Sequence, residues 1–485
     1  NFTAGDTGSF DADSDDDGLS DFVLAANTVL DGGAANQQID ANDVVIDPTA
    51  TVQNIPTLTV NDSDGTGVNL TGTGGDTAGE LNLSNAELLT MISVTTLDLN
   101  TAGSIDVADV TGGSTAGITN VVLDQTGTAG GVMFGSNSIF SSSLTTNSDE
   151  AGIDVNADVT ASSIALDGDA NDTDDAGTDD ITFGAGVTLT ATAGGITLDA
   201  TSGQMVSAGS LNLNATGGVT INDTLVAGGL TTIDADSDDT DDDGDLNVAD
   251  DATLGDAAQV LDVTANDVLL NTTGTLLGTL VSITDSDGDG IGLGATPAAG
   301  GLNITGTELQ QITASTSLTL NTAGDITVDG VTEPSSDTVN LVTLDSGSSI
   351  SFDTAASTFD SLDAQADDRI ALNVDVSSDE GALSFDGDAD NAAGTNDDVT
   401  IAAGVTITAA DSGGSAGSVA FDATTGGITA AGVYTVSAEN GITVNDNFTA
   451  GDTGSFDADS DDDGLSDFVL AANTVLDGGA ANQQI

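Results

Sequence analysis

Alternating aspartates carry the most specific chemistry in this sequence. Asp13, Asp15 and Asp17, followed by Gly18 and Asp21, spell DSDDDGLSD, a DxDxDGxxD pattern. Carboxylates at every second position of a tight turn converge on one centre, the glycine permits the turn, and the oxygen cage so formed suits a hard divalent cation such as Ca2+. The spelling recurs unchanged at Asp459, Asp461, Asp463 and Asp467. A variant lies at Asp239, Asp241 and Asp243, with Asn247 in the ninth position. Another lies at Asp285, Asp287 and Asp289, where Leu293 leaves the ninth position without an oxygen and predicts weaker binding. Asp62 and Asp64 open a related stretch interrupted by Thr66. Looser clusters occupy Asp167, Asp169, Asp172, Asp174 and Asp175, and Asp386, Asp388 and Asp390.

Other chemistries lack their parts. The 485 residues include no His, Cys or Trp, and Arg369 is the only basic side chain against 80 acidic residues, for a net charge of -79. Imidazole-dependent nucleophiles, lysine Schiff bases and zinc sites built from imidazole or thiolate are therefore excluded. Phosphate loops of the GxGxxG or GKS/GKT kind are absent, and nucleic acid repels such a chain. An enzyme is not expected; the one route open is a carboxylate-only glycosidase, and it would lack basic groups to hold acidic sugars. Without cysteines there are no disulfides, and without lysines no lysine isopeptide cross-links. No apolar run reaches the length of a membrane span. The acid is almost all Asp, the residue of turns and cation loops; only Glu80, Glu87, Glu150, Glu308, Glu333, Glu380 and Glu439 depart from this. At 38% hydrophobic residues the chain is expected to fold.

The loops must be held by elements that repeat as they do. Asn1–Ile39 returns without change as Asn447–Ile485, a period of 446 residues. Each period is itself doubled: NFTAGDTGSFDADSDD from Asn1 aligns with TLVAGGLTTIDADSDD from Thr224, and Gly79–Thr111 with Gly300–Thr332. The organisation is thus 1–223, 224–446 and the opening of a further copy at 447–485, which reads as an internal segment of a longer tandem array. Within each half, alternating runs such as ITLDA from Ile196, LNLNA from Leu211, VTIND from Val219 and LTTIDAD from Leu230 recur roughly every eight to eleven residues and read as strands. One helix-like stretch covers Asn85 to Ser93, with a counterpart near Gly306 to Ala314.

Strands so short and so evenly spaced predict an all-β fold, a right-handed parallel β-solenoid whose coils bury Val, Ile, Leu and inward-stacked Phe183, Phe352, Phe385 and Phe421. The alternative layout is a string of β-sandwich modules. With about 20 residues per coil and about 4.8 Å per rung, eleven coils would fill each half and the chain would span about 115 Å, placing its charge at a linear density near that of duplex DNA. Such a polyanion must collect counterions, and cations seated in specific loops relieve its self-repulsion.

The loop at Asp13 is similar to the calcium loops of thrombospondin type 3 repeats and to the first half of an EF-hand loop, departing from the latter in having Leu24 where a bidentate Glu would stand. The stretch TAGGITLDATSGQMVSAGSLNLNATGGVTIND, Thr192 to Asp223, resembles the repeat regions of filamentous-haemagglutinin-like bacterial adhesins. That resemblance implies an extracellular, cell-surface stalk or filament that continues or self-associates. A surface-layer or sheath protein, glycosylated at sequons such as Asn69, Asn214 and Asn303, is the rival from another class.

Overall fold

The computed structural model describes every residue except 16–18, 73–78, 129, 172–178, 202, 241–242, 296–300, 393, 395 and 411–416. The described chain is nearly all β, with three short helices. It divides into two compact units. One comprises Asn1–Asp238, Leu246–Leu254 and Asn271–Gly274; the other comprises Asp239–Asp245, Gly255–Leu270 and Thr275–Ile485. These units are not the sequence halves, which meet at 223/224.

The strands pair in parallel, and each pairs with a strand one coil further along the chain. In the first unit Ile164–Asp167 lies against Ile196–Asp199, which lies against Val219–Ile221. Two further ladders follow the same order: Ile181–Phe183 pairs with Met205–Ser207, and Val187–Ala191 with Leu211–Ala215. The second unit repeats the scheme, with Leu383–Asp386 against Val419–Asp422, Asp398–Ile401 against Ile428–Ala430, and Thr406–Ala409 against Tyr434–Ala438. Among the described residues no ladder is antiparallel, so the hairpin pairing that β-sandwich modules require is absent from them.

Alternation explains the packing. Odd positions of Leu211–Ala215 are buried and even positions are half-exposed, and most strands follow this rule. Val, Ile and Leu fill the interior, and all four predicted phenylalanines are buried there. Phe385 and Phe421, opposite one another in the ladder, stack at 5.7 Å, and Phe352 meets Phe385 edge-on at 6.1 Å.

The half-exposed faces carry polar columns, because parallel in-register stacking places like positions above one another. Asp40, Asn61, Asn100, Asp124 and Asn147 follow in register from coil to coil. Directly opposed carboxylates would repel. Interleaved asparagines replace that repulsion with hydrogen bonds: the Asn100 amide donates to Asn61 at 3.2 Å, and Asn147 to Asp124 at 2.5 Å.

Coil length differs from expectation. Nine rungs run from Gly8–Asp11 to Val219–Ile221, where about eleven were expected. The step from Leu144 to Ile164 matches the short coil, but those from Ile55 to Val94 and from Ile164 to Ile196 are lengthened by loops. The helices are also shorter than predicted, at Asn85–Leu88 and Gly306–Gln310; Ala314 lies in the strand Ile312–Thr322. β-Branched residues downstream join the ladders instead. Both helices start with capping boxes, Ser84 with Glu87 and Thr305 with Glu308. The reach required at that third helical position accounts for two of the rare glutamates. A third helix, Glu333–Ser336, was not anticipated. Among the described residues no helix is long and apolar enough to cross a membrane.

Arg369 opens the strand Arg369–Leu372 and is paired on both sides, to Ser349–Phe352 and Asp398–Ile401. Trypsin is therefore expected to leave the folded chain intact and to cut the denatured chain into two pieces, Asn1–Arg369 and Ile370–Ile485. Gel electrophoresis checks this, and a ladder of smaller products would contradict it.

Candidate metal centres

The clearest centre is the loop after the strand Gly454–Asp457. Asp459, Asp461 and Asp463 each offer a carboxylate oxygen within 4.8 Å of the other two. Left-handed backbone at Asp462 (φ 59°) and Gly464 (φ 74°) curls the loop. Its own amides then orient the acids: the Gly464 N–H donates to Asp459 Oδ2 at 3.0 Å, and the Leu465 N–H to Asp463 Oδ1 at 2.8 Å. Loss of hydration, with Asp461 and Asp463 adding to it, raises the Asp459 carboxyl above its ordinary range. Three converging carboxylate oxygens are a donor set for a hard cation. Asp467 does not join them; it is exposed, and its carbonyl accepts the Ile442 N–H at 3.1 Å.

The identical spelling at the start of the chain is placed differently. Asp13 is 1% exposed, and its Oδ2 accepts the Ser63 hydroxyl at 2.8 Å. Asp15 and Asp21 are exposed, with Asn42 donating to Asp21 at 3.4 Å. Asp17 and Gly18 lie outside the described residues, as do Asp172, Asp174 and Asp175.

In the middle of the chain Asp239 and Asp243 are exposed, Asp239 with φ 47°, and Asp241 lies outside the described residues. Asn247 stands in the strand Leu246–Val248, where its side-chain oxygen accepts from Asn271 at 2.9 Å. The structural counterpart of Asp13 is Asp236, fully buried after the strand Thr231–Asp234. The aligned DADSD stretches of the two halves held that signal.

Asp285 is 4% exposed. Its Oδ2 accepts the Gly290 N–H at 2.9 Å and the Thr322 hydroxyl at 2.6 Å, while its Oδ1 is buried without a hydrogen-bond partner. A side chain at Gly290 could not be accommodated, since its Cβ would lie 2.5 Å from the Asp325 carbonyl oxygen. Burial, reinforced by the adjacent Asp287, pushes the Asp285 carboxyl up to about 6. Asp289 is exposed and forms no triad with this pair. Asp62 reproduces the arrangement despite Thr66: its Oδ2 accepts from Gly67 N–H at 2.8 Å and Thr101 at 2.7 Å, its Oδ1 is buried without a partner, and its carboxyl is likewise raised to about 6, mainly by burial. Thr66 donates to Asp64 at 2.7 Å and so preserves the loop.

One acid had no motif to announce it. Asp360 borders a recess of about 210 Å³ with Asn340, Ser361 and Glu380. Burial, then the charges of Asp379, Glu380, Asp337 and Glu333, push its carboxyl up to about 7.

Comparison of the chain with protein-family models, curated proteins and solved structures returned no match.

Proposed function

We propose that this chain is a segment of an extracellular structural filament or adhesin stalk, folded as a right-handed parallel β-solenoid and stabilised by Ca2+ in its aspartate loops. The observation that carries the reading is the coil-on-coil parallel register: a tandem repeat that buries its core only against its neighbours lengthens without limit by copying itself. Nothing in the reading requires catalysis, and no carboxylate pair is assigned the role of acid and nucleophile. The likeness to filamentous-haemagglutinin-like surface proteins, and the cell-surface location it implies, belong to the same proposal. Partners are the continuation or self-association of the chain, and calcium ions.

Negative-stain and diffraction images of native filaments test it. Nine rungs at about 4.8 Å give each half-repeat a rise of about 43 Å, so a meridional periodicity near 43 Å or its double is expected, with a strong 4.8 Å reflection. Beads spaced at larger intervals, or a two-dimensional lattice on the cell surface, would replace the filament with the surface-layer alternative.

A further inference from the structure

The corner between Leu383–Asp386 and Val419–Asp422 assembles carboxylates that no DxDxDG spelling marks. Asp388 is 0% exposed and Asp397 4%. Both are tied to one residue: the Thr425 N–H donates to Asp388 Oδ2 at 2.5 Å, and the Thr425 hydroxyl to Asp397 Oδ2 at 2.7 Å. The Gly394 N–H also donates to Asp397 Oδ2, at 2.5 Å. The remaining oxygen of each carboxylate, Oδ1, is buried and has no hydrogen-bond partner. Asp386 and Asp422 are directly opposed in the adjoining ladder, and burial, followed by the charges around it, raises the Asp386 carboxyl. Arg369 is exposed, stands opposite Asp398, and donates no hydrogen bond to either buried acid.

The sequence around this corner recurs in the first half. DGDA at 167–170 matches 386–389, and DATSG at 199–203 matches DATTG at 422–426. Asp169 and Asp179 are 0% and 2% exposed. The Asp169 N–H donates to Asp167 at 3.1 Å, as the Asp388 N–H does to Asp386 at 3.1 Å. Gly203 and Gly426 approach the carbonyls of Asp179 and Asp397 so closely that a Cβ would lie 2.0 Å and 1.7 Å away. A buried, uncompensated carboxylate is strongly unfavourable, and two side by side are more so. A chain without lysine or histidine that buries Asp388 and Asp397 together needs another positive charge there.

We propose that Asp388 and Asp397 together hold an interior divalent cation of the calcium class through their Oδ1 oxygens. The inference rests on the same cation chemistry as the proposed function but on different residues. The ion keeps fewer waters than one at the exposed Asp459 triad, and it clamps the loop at Asp388 to the turn at Thr425.

Native mass spectrometry of the 485-residue chain in calcium tests it. Asp388→Asn with Asp397→Asn is expected to lose one bound ion. The calcium-dependent gain in melting temperature should shrink in step. Unchanged ion counts, or a double variant more stable than wild type at saturating calcium, would overturn the inference and show that the pair shares a proton instead. A wild-type chain that binds no calcium would overturn this inference and the calcium reading together. Europium bound to the wild-type chain gives a readout free of folding defects: luminescence lifetimes in H2O and D2O should resolve a less hydrated population. Uniformly hydrated ions would count against the interior site.

Discussion

Chelation of calcium at low ionic strength is expected to lower the melting temperature of this chain by roughly 10 °C or more. Each site occupied at about a hundredfold over its dissociation constant adds about 2.7 kcal/mol to the folded state, and about 1 kcal/mol moves the midpoint of a domain of 150–250 residues by about 2–4 °C. The effect should exceed one site's worth, because a net charge of -79 draws cations to every loop that can coordinate them. Sodium chloride at about 1 M should recover part of the loss by screening, since the Debye length falls to about 3 Å, without restoring the contribution of coordinated ions. Asp285→Asn with Asp287→Asn should reduce the calcium-dependent part while leaving the chelated protein as stable or slightly more stable, since the substitution removes a repelling pair. Differential scanning calorimetry with and without EDTA makes the measurement. A melting curve indifferent to EDTA would end the case for calcium.

In chelator the stability is expected to rise on acidification from pH 8 to about pH 4.5, the reverse of the usual acid lability. The sign follows from the carboxyls whose folded values lie above the ordinary 3.8: Asp62 and Asp285 at about 6 and Asp360 at about 7. The folded chain binds more protons than the unfolded one between these values. Its stability is therefore greatest near the lower end and is lost as pH rises through the folded values. Asp223, Asp267 and Asp422 are shifted in the same direction, chiefly by burial. Asp31 and Asp47, lowered by hydrogen bonds, oppose it, but both are solvent-facing and their contribution is screened. Calcium should flatten the profile above pH 6, because the cation displaces the protons and keeps the carboxylates satisfied in ionised form. Asp360→Asn should raise the midpoint at pH 8 by a few degrees and change little at pH 5. Thermal melts across pH in EDTA read all of this, and a maximum near neutrality would refute it.

Some of the candidate chemistry was legible from local spelling. The DxDxDG loop at Asp459 closes into a triad because every determinant, the alternating acids and the left-handed turn at Gly464, lies within six residues. Asp62 was undervalued because Thr66 looked like a defect, whereas its hydroxyl acts as a donor to Asp64. Asp388 was legible only as part of the looser cluster with Asp386 and Asp390, and Asp397 and Asp360 carried no motif, because what distinguishes all three is burial by residues distant in sequence, such as Thr425, 28 or more positions from Asp388 and Asp397.

By itself the sequence determined the repeat, the strand positions, the inward phenylalanines and the exclusion of most catalytic chemistry, since alternation, composition and self-similarity are local or global properties of the string. Only the tertiary structure decided the number of rungs per half and the pairing of buried acids. Those depend on how far each loop lengthens its coil and which side chains are thereby stacked, and stacking couples residues that sequence distance separates.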